Sequence, residues 1–269
     1  MAVNKDSNIY TITFAIILVV IVGGILATIA NGLKPIQDEN LKNEKKQYIL
    51  NCLPGNKSVT RNEAGAKFPE IVIKRLILDH NSKPIEGTET TSKDIPKKVS
   101  DPTKETDAFN VDLKKQFKNK DLPEEDKKYP LFVCSVNDVT YYVAPVSGKG
   151  LWAAVWGYIS LDSAGNTVTG AVFDHTSETP GLGAEITQDF FEDRFLGKHI
   201  NKDGKYSPIE VKKPGSPKSD YYVDGISGGT FTSVGVEDMM TKALEVYYNY
   251  IKDINNQKEI SNSNELVNS

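Results

Sequence analysis

From Ile9 to Ala30 the chain runs for 22 residues, IYTITFAIILVVIVGGILATIA, without one charge. About 20 apolar residues in a helix cross the hydrocarbon core of a bilayer, so this stretch constrains the fold more than any other. A soluble helix of that length would need a polar face, which the run lacks. A cleaved signal peptide competes, but its apolar region is usually 7–15 residues behind a basic flank, and Lys5 is the one basic residue before the run. The expected arrangement is a short segment at 1–8, an uncleaved transmembrane helix at 9–33, and the remainder outside the bilayer. Lys34, Lys42, Lys45 and Lys46 follow the run, and this count weakly favours a cytoplasmic C-terminal domain.

The remainder is polar, because much of the 39% apolar content of the 269 residues is spent on that run. A net charge of −4 gives no basic footprint, which excludes nucleic acid as a partner class. Cys52 and Cys134 form no C-x-x-C or His/Cys cluster, so buried thiols are favoured over a disulfide and no metal site is expected.

Residues 34–78 read as a membrane-proximal segment. A polar helix starts at Leu33–Asn40, carries Leu41, Tyr48, Ile49 and Leu53 as its apolar stripe, and ends near Pro54-Gly55. Phe68–Leu78 fits either a strand or a helix. Residues 79–129 are dense in Lys, Asp, Glu, Thr and Pro and read as a charged insertion with short helical turns around Phe109–Phe117. From 130 to 254 the chain is β-rich. Leu131–Val136 and Val139–Val146 form a hairpin across Asn137-Asp138, and strands follow at 153–160 and 168–173. Phe190–Phe195 reads as helix and Ile209–Val211 as strand. The Asn/Ser-rich tail at 255–269 is expected to fray.

The stretch Asp224–Val236 holds four glycines and four hydroxyl residues ahead of an apolar-periodic run, Val236, Met239, Met240, Ala243, Leu244, Tyr247 and Ile251. That run predicts an amphipathic helix with Ser233 as N-cap and Glu237 and Asp238 in its first turn. Gly228 and Gly229 can take positive φ and turn successive N–H groups toward one point, an anion nest beside the Thr230 hydroxyl. The plain alternative is a loop whose glycines serve only the turn. Gly225-Ile226-Ser227-Gly228-Gly229 also satisfies G-x-S-x-G, but no His follows Ser227, which removes the α/β-hydrolase order. Gly148-x-Gly150-x-x-Ala153 nominally fits the dinucleotide fingerprint, yet it opens a strand rather than a helix and is rejected. Lys212 and Lys213 are either a source of positive potential near a phosphate or an ordinary solvated pair.

Asp224-Gly-Ile-Ser-Gly-Gly-Thr230 resembles the flavinylation motif Asp-x-x-Ser-Gly-Ala-Thr of FMN-binding domains in redox-driven ion pumps, with Gly229 where that family usually has Ala. Gly148-x-Gly-Leu-Trp152 and Glu178-Thr179-Pro180-Gly181-Leu182-Gly183 match two further segments of the family. In this order, behind one transmembrane helix and a Leu-Lys-Pro-x-Gln segment, they resemble the C subunits of sodium-translocating NADH:quinone oxidoreductases. The flavinylated G subunits of ferredoxin-linked Rnf complexes are the nearest alternative within the family, and a membrane-anchored binding module without cofactor is the alternative of a different class.

The resemblance implies FMN joined by a phosphoester to Thr230 through a flavin transferase. Asp224, Ser227, Gly228 and Gly229 would shape the attachment loop, and Trp152, Glu178, Thr179, Gly181, Leu182 and Gly183 would border the ring. It further implies an electron-carrying subunit, inactive alone, assembled with other membrane subunits. Its FMN domain would lie on the periplasmic face of the bacterial inner membrane, opposite to the weak lysine count. Two readings stay open from the residues alone: Trp152 as a core side chain, and His175 as a proton donor to reduced flavin. The fold class expected is α+β, a transmembrane helix followed by a twisted, mainly antiparallel sheet with packed helices.

Overall fold

The computed structural model describes residues 8–101, 104–119 and 121–268. Residues 1–7 of the expected N-terminal segment, and 102, 103 and 120 of the charged insertion, lie outside the described residues. The chain divides into two compact units, Met1–Lys45 and Lys46–Ser269.

Helix α1 spans Asn8–Asn51 with Pro35 inside it. The separate polar helix expected from Leu33 is therefore a continuation of the apolar one. The helix is long and apolar enough to cross a membrane, with mean hydropathy 2.9 over its most apolar window and none of that window buried. Leu41 is exposed, whereas Ile49 and Leu50 are buried in the second unit.

The second unit is built on one antiparallel sheet whose strands pair in chain order. They are β1 (Val72–Leu78), β2 (Tyr129–Val136), β3 (Val139–Lys149), β4 (Ala154–Leu161) and β5 (Val168–His175). The 68–78 ambiguity resolves into both possibilities, because helix α2 (Arg61–Ile71) leads directly into β1. Asn137 and Asp138 join β2 to β3 with φ of 51° and 64°. Both side chains tolerate the left-handed region, which a two-residue hairpin turn twisted like its strands requires.

Alternation along the strands makes two cores. Leu131, Tyr142, Ala144, Val155, Ile159 and Phe173 face helix α5 (Thr230–Asn268), whose Val236, Met239, Met240, Leu244, Tyr247 and Ile251 complete that cluster. Phe132, Cys134, Val143, Tyr158 and Val172 face the other way, against Ile49, Leu50, Phe68 and Phe109. Cys52 and Cys134 are buried free thiols, and burial pushes both up. Smaller elements complete the unit: α4 (Asp189–Glu192), the β6/β7 ribbon (Asn201–Lys202, Lys205–Tyr206), and a parallel pair, β8 (Glu210–Lys212) with β9 (Tyr222–Asp224).

The charged 79–129 stretch has helical turns at Ala108–Asn110 and at α3 (Leu113–Lys118). Arg75 on β1 ties it down. Its Nε and Nη2 donate to the two Asp107 oxygens at 3.1 and 2.7 Å, and Nη1 and Nη2 donate to the Ser92 and Asp94 carbonyls. Arg75 is 1% exposed and Asp107 4%. Helix α5 departs from its expected limits at both ends. It starts six residues before Val236 and continues through the polar tail to Asn268, where Ser261 and Ser263 hydroxyls donate back to the Gln257 and Glu259 carbonyls.

Two outcomes test this packing. Replacing Arg75 by Met leaves the Asp107 carboxylate buried without its partner and is expected to cost about 3–5 kcal/mol, read by denaturant unfolding of the full chain in detergent; a loss below about 1 kcal/mol would remove Arg75 as the anchor of the insertion. Glu192 is 5% exposed, and burial, only partly offset by the Phe173 N–H and nearby Lys57, pushes its carboxyl up to about 7. The folded state then holds a proton that the unfolded chain releases near 4.5, so stability is full below that value and declines as pH rises through about 7. Glu192→Gln should flatten this decline and stabilise the protein by roughly 3 kcal/mol at pH 8. A pH series of melting temperatures indistinguishable from wild type would show that Glu192 is not the titrating group.

Candidate functional site

Three segments that are distant in sequence meet at the end of the sheet where β3 passes to β4 and β5 ends. The register pairs Gly148 with Val155 and Val155 with His175, so the 150–153 loop and the loop after His175 leave the same edge. The N-terminus of α5 joins them: a Cβ on Gly235 would lie 2.2 Å from the Lys149 carbonyl oxygen, and one on Gly148 would lie 2.6 Å from the Met239 Cβ.

Glu178 fastens the three together. Its Oε1 accepts the Trp152 N–H at 3.0 Å and the Ala153 N–H at 3.4 Å, and its Oε2 accepts the Thr232 hydroxyl at 2.6 Å. The residue is 5% exposed. Burial alone would raise its carboxyl, but bonds from Thr232 and from the Trp152, Ala153 and Leu151 N–H groups outweigh it and hold the group below the usual carboxylate range. Glu178 is thus placed inside the protein as a tie between the three segments. Its own N–H donates to His175 Nδ1 at 3.1 Å, which makes Nδ1 an acceptor.

The glycine loop at 224–229 is shaped by bonds from both sides. Arg194 Nη1 donates to the Asp224 and Gly225 carbonyls at 2.6 and 2.9 Å. The Asp224 carboxylate accepts the Gly215 N–H at 3.2 Å. The Ile226 N–H donates to Ser233 Oγ at 2.9 Å, so Ser233 clamps the loop and does not cap the helix. Gly228 has φ +78°, in the region that favours glycine, and Gly229 does not. The Gly229 N–H closes a turn onto the Ile226 carbonyl at 3.0 Å. It therefore does not contribute to a convergent nest.

The first helical bond runs from the Ser233 N–H to the Gly229 carbonyl. The N–H groups of Thr230, Phe231 and Thr232 lie ahead of it, where a helix leaves donors for an anion. Glu237 and Asp238 fall outside the first turn, which contains no acidic residue, and the Glu237 carboxylate accepts the Val211 N–H.

Thr230, Ser227, Gly228, Thr179 and Gly181 are exposed. Trp152 is 68% exposed, which rules out its reading as a core side chain, and Leu182 and Phe231 are also open. Leu182 lies over the loop, since a Cβ on Gly228 would come within 2.7 Å of its Cδ2. Gly183 is buried. An exposed hydroxyl at a helix N-terminus, beside open Trp, Leu and Phe side chains, suits a ligand with an anionic end and a flat apolar body. Lys212 is engaged elsewhere, paired with Glu210 at 3.0 Å and set over the Tyr222 ring. A separate cleft of about 410 Å³ is lined by Tyr48, Asp174, His175, Lys57 and Glu192 among others, with no residue from the glycine loop. Sequence reasoning missed Arg194 and Thr232. Nothing local marks Arg194, and Thr232 stood only as one hydroxyl among four.

A helix followed by an α+β domain, with three glycine-bearing segments tied together at Glu178, defines the class: residues 150–245 match the model of the FMN-binding domain family. The C subunit of the Na(+)-translocating NADH-quinone reductase of Vibrio anguillarum is 32% identical over 239 residues, 88% of this chain and 90% of the relative. The crystal structure of the C subunit of the Na(+)-translocating NADH-quinone reductase of Parabacteroides distasonis superposes with a TM-score of 0.66 at 36% identity, over 81% of this chain and 96% of that one. The crystal structure of Shewanella oneidensis NqrC shares the fold, with a TM-score of 0.60 at 24% identity over 79% of this chain and 98% of that one. The chain belongs to the family of Na(+)-translocating NADH-quinone reductase C subunits.

A Cβ on Gly183 would lie 2.3 Å from Thr232 Oγ1 and 2.7 Å from Glu178 Oε2. Because both atoms are held by one another, Gly183→Ala should break that bond and cost about 1–3 kcal/mol, with faster amide exchange at 178–184 than in wild type. Unchanged exchange there would show that the loop does not depend on the Glu178–Thr232 contact.

Proposed function

We propose that this chain is an electron-carrying subunit of a membrane sodium pump, relaying electrons from NADH toward quinone through FMN joined by a phosphoester to Thr230. One observation carries the reading: the last residue of the flavinylation-like motif is an exposed threonine at the first position of α5. The first turn of that helix carries no acidic residue of its own.

Bound there, FMN would supply the redox chemistry, and the protein would hold it and set its surroundings. The Thr230, Phe231 and Thr232 N–H groups would receive the phosphate, with Gly228 letting the backbone approach. Trp152, Leu182 and Phe231 would cover the ring, while Thr179 and Gly181 would border it on the exposed loop. Arg194 draws the Asp224 and Gly225 carbonyls toward itself, which turns two partial negative charges away from the phosphate. Ser227 is an exposed neighbour of the attachment point.

The apolar part of α1 would anchor the domain in the bacterial inner membrane with the flavin on the periplasmic face. Tethering there prevents loss of a cofactor that is not replenished outside the cytoplasm. Partners would be the other membrane subunits of the reductase, without which the chain should neither oxidise NADH nor move sodium, and a flavin transferase during maturation. The test is the intact mass of the membrane-purified chain produced with that transferase. Wild type should gain one FMN less water, and Thr230→Ala should not; an unmodified wild type would return the glycine loop to an ordinary turn.

A further inference from the structure

Ser227, Thr230, Thr232 and Ser233 place four hydroxyls within seven residues, and the fold sorts them sharply. Ser227 and Thr230 are open. Ser233, 3% exposed, accepts the Ile226 N–H, and Thr232, 1% exposed, donates to Glu178. Thr230 and Thr232 are both threonines in the first turn of one helix, flanking the same donors, so local sequence chemistry alone offers a modifying enzyme two similar acceptors.

We propose that Glu178 is the specificity-determining residue that decides between the two threonines of this turn, taking Thr232 out of competition for flavin attachment. The proposal rests on the reading of Thr230 as the flavin acceptor. Attachment requires an acceptor oxygen to attack the flavin phosphate. The donor class is a flavin phosphate held in anhydride linkage to a nucleotide, because free FMN has no adequate leaving group. The threonine O–P bond forms, the P–O bond to the nucleotide breaks, the hydroxyl proton passes to a base of the transferase, and no electrons change hands.

Thr232 is withheld from this step in two ways by one side chain. Its hydroxyl proton is engaged by a carboxylate held in its charged form, at 2.6 Å. Its oxygen is also covered by the 178–183 loop, where Gly183 lacks the Cβ that would lie 2.3 Å away. Glu178 belongs to that same loop and anchors it to the Trp152 and Ala153 N–H groups. Removing the carboxylate releases both the hydroxyl and its cover. Thr230, by contrast, has an exposed side chain on the same turn.

The experiment is site-mapped mass spectrometry of peptides from full-length chain, produced in membranes together with the transferase, for wild type, Glu178→Ala and Glu178→Gln. Wild type should carry flavin on Thr230 alone. Glu178→Ala should carry it on both threonines, with the Thr232-linked share rising by roughly 10- to 100-fold, the factor that a charge-assisted hydrogen bond exerts on an equilibrium. Flavin confined to Thr230 in Glu178→Ala overturns the proposal. If Glu178→Ala carries none, Glu178→Gln, which keeps the volume and exchanges the charged bond for a neutral one, decides by the same mapping: a Thr232-linked fraction supports selection and Thr230 alone refutes it. Loss of flavin from both variants also refutes it, because Glu178 would then be needed to build the site for transfer rather than to choose between its acceptors. A wild type bare at every hydroxyl is a different result, which removes the flavin reading and the proposal with it.

Discussion

One buried carboxylate holds the candidate site together. Burying the charge of Glu178 would be costly without partners, and three donors from two other segments supply them. Each bond to a charged group is worth roughly 1.5–3 kcal/mol when its loss would strand a buried partner. Ile186, Ile226 and Val236 root these segments in the core, while Trp152, Leu182 and Phe231 stay open above it. The way the open parts meet therefore depends on the polar bonds.

That dependence follows from the architecture. The sheet is a simple meander, so alternate connections fall at the same edge. Two of them emerge beside each other without any special sequence signal. Helix α5 is fixed by its apolar stripe, from Val236 to Ile251, against the strands, and it projects its first turn past that stripe. The core thus brings the segments close, and Glu178 with Ser233 and Arg194 sets how they meet.

Much of this was legible in the chain, for particular reasons. The Ile9–Ala30 run carries its signal in unbroken apolar length, whereas the strands from Leu131 to Phe173 and the stripe from Val236 carry theirs in apolar pattern, and each became the element implied. The start of α5 was not legible, because residues 230–235 add nothing to the apolar stripe, Phe231 and Val234 being exposed, and the turn is tied by bonds to other segments: Thr232 reaches 54 positions back to Glu178, and Ser233 holds Ile226. Arg194 was illegible for the same reason, as its partners lie 30 and 31 residues on. Glycine was ambiguous in sequence. Gly228 uses its freedom in φ, but Gly183 and Gly235 serve close packing. Trp152 was ambiguous between core and surface because a Trp beside a strand fits either; it lies in the loop between β3 and β4, on the open side.

The displaced helix start alters the electrostatics as well as the geometry. With α5 beginning at Val236, Glu237 and Asp238 would have sat in its first turn, stabilising the helix but repelling an anion at its end. With the start at Thr230, both lie about two turns in, and Glu237 spends its charge on the Val211 N–H that joins α5 to β8. The first turn is left with backbone donors, hydroxyls and an exposed Phe231. The macrodipole, which falls off within the first turn, is then uncompensated by the helix's own side chains at the point where Thr230 stands. A helix that keeps its acids away from its N-terminus forgoes roughly 0.3–1 kcal/mol of self-stabilisation for each one. The long apolar stripe and the bonds to Glu178 and Ile226 supply that stability from elsewhere in the fold, which leaves the terminus suited to a negatively charged group brought from outside.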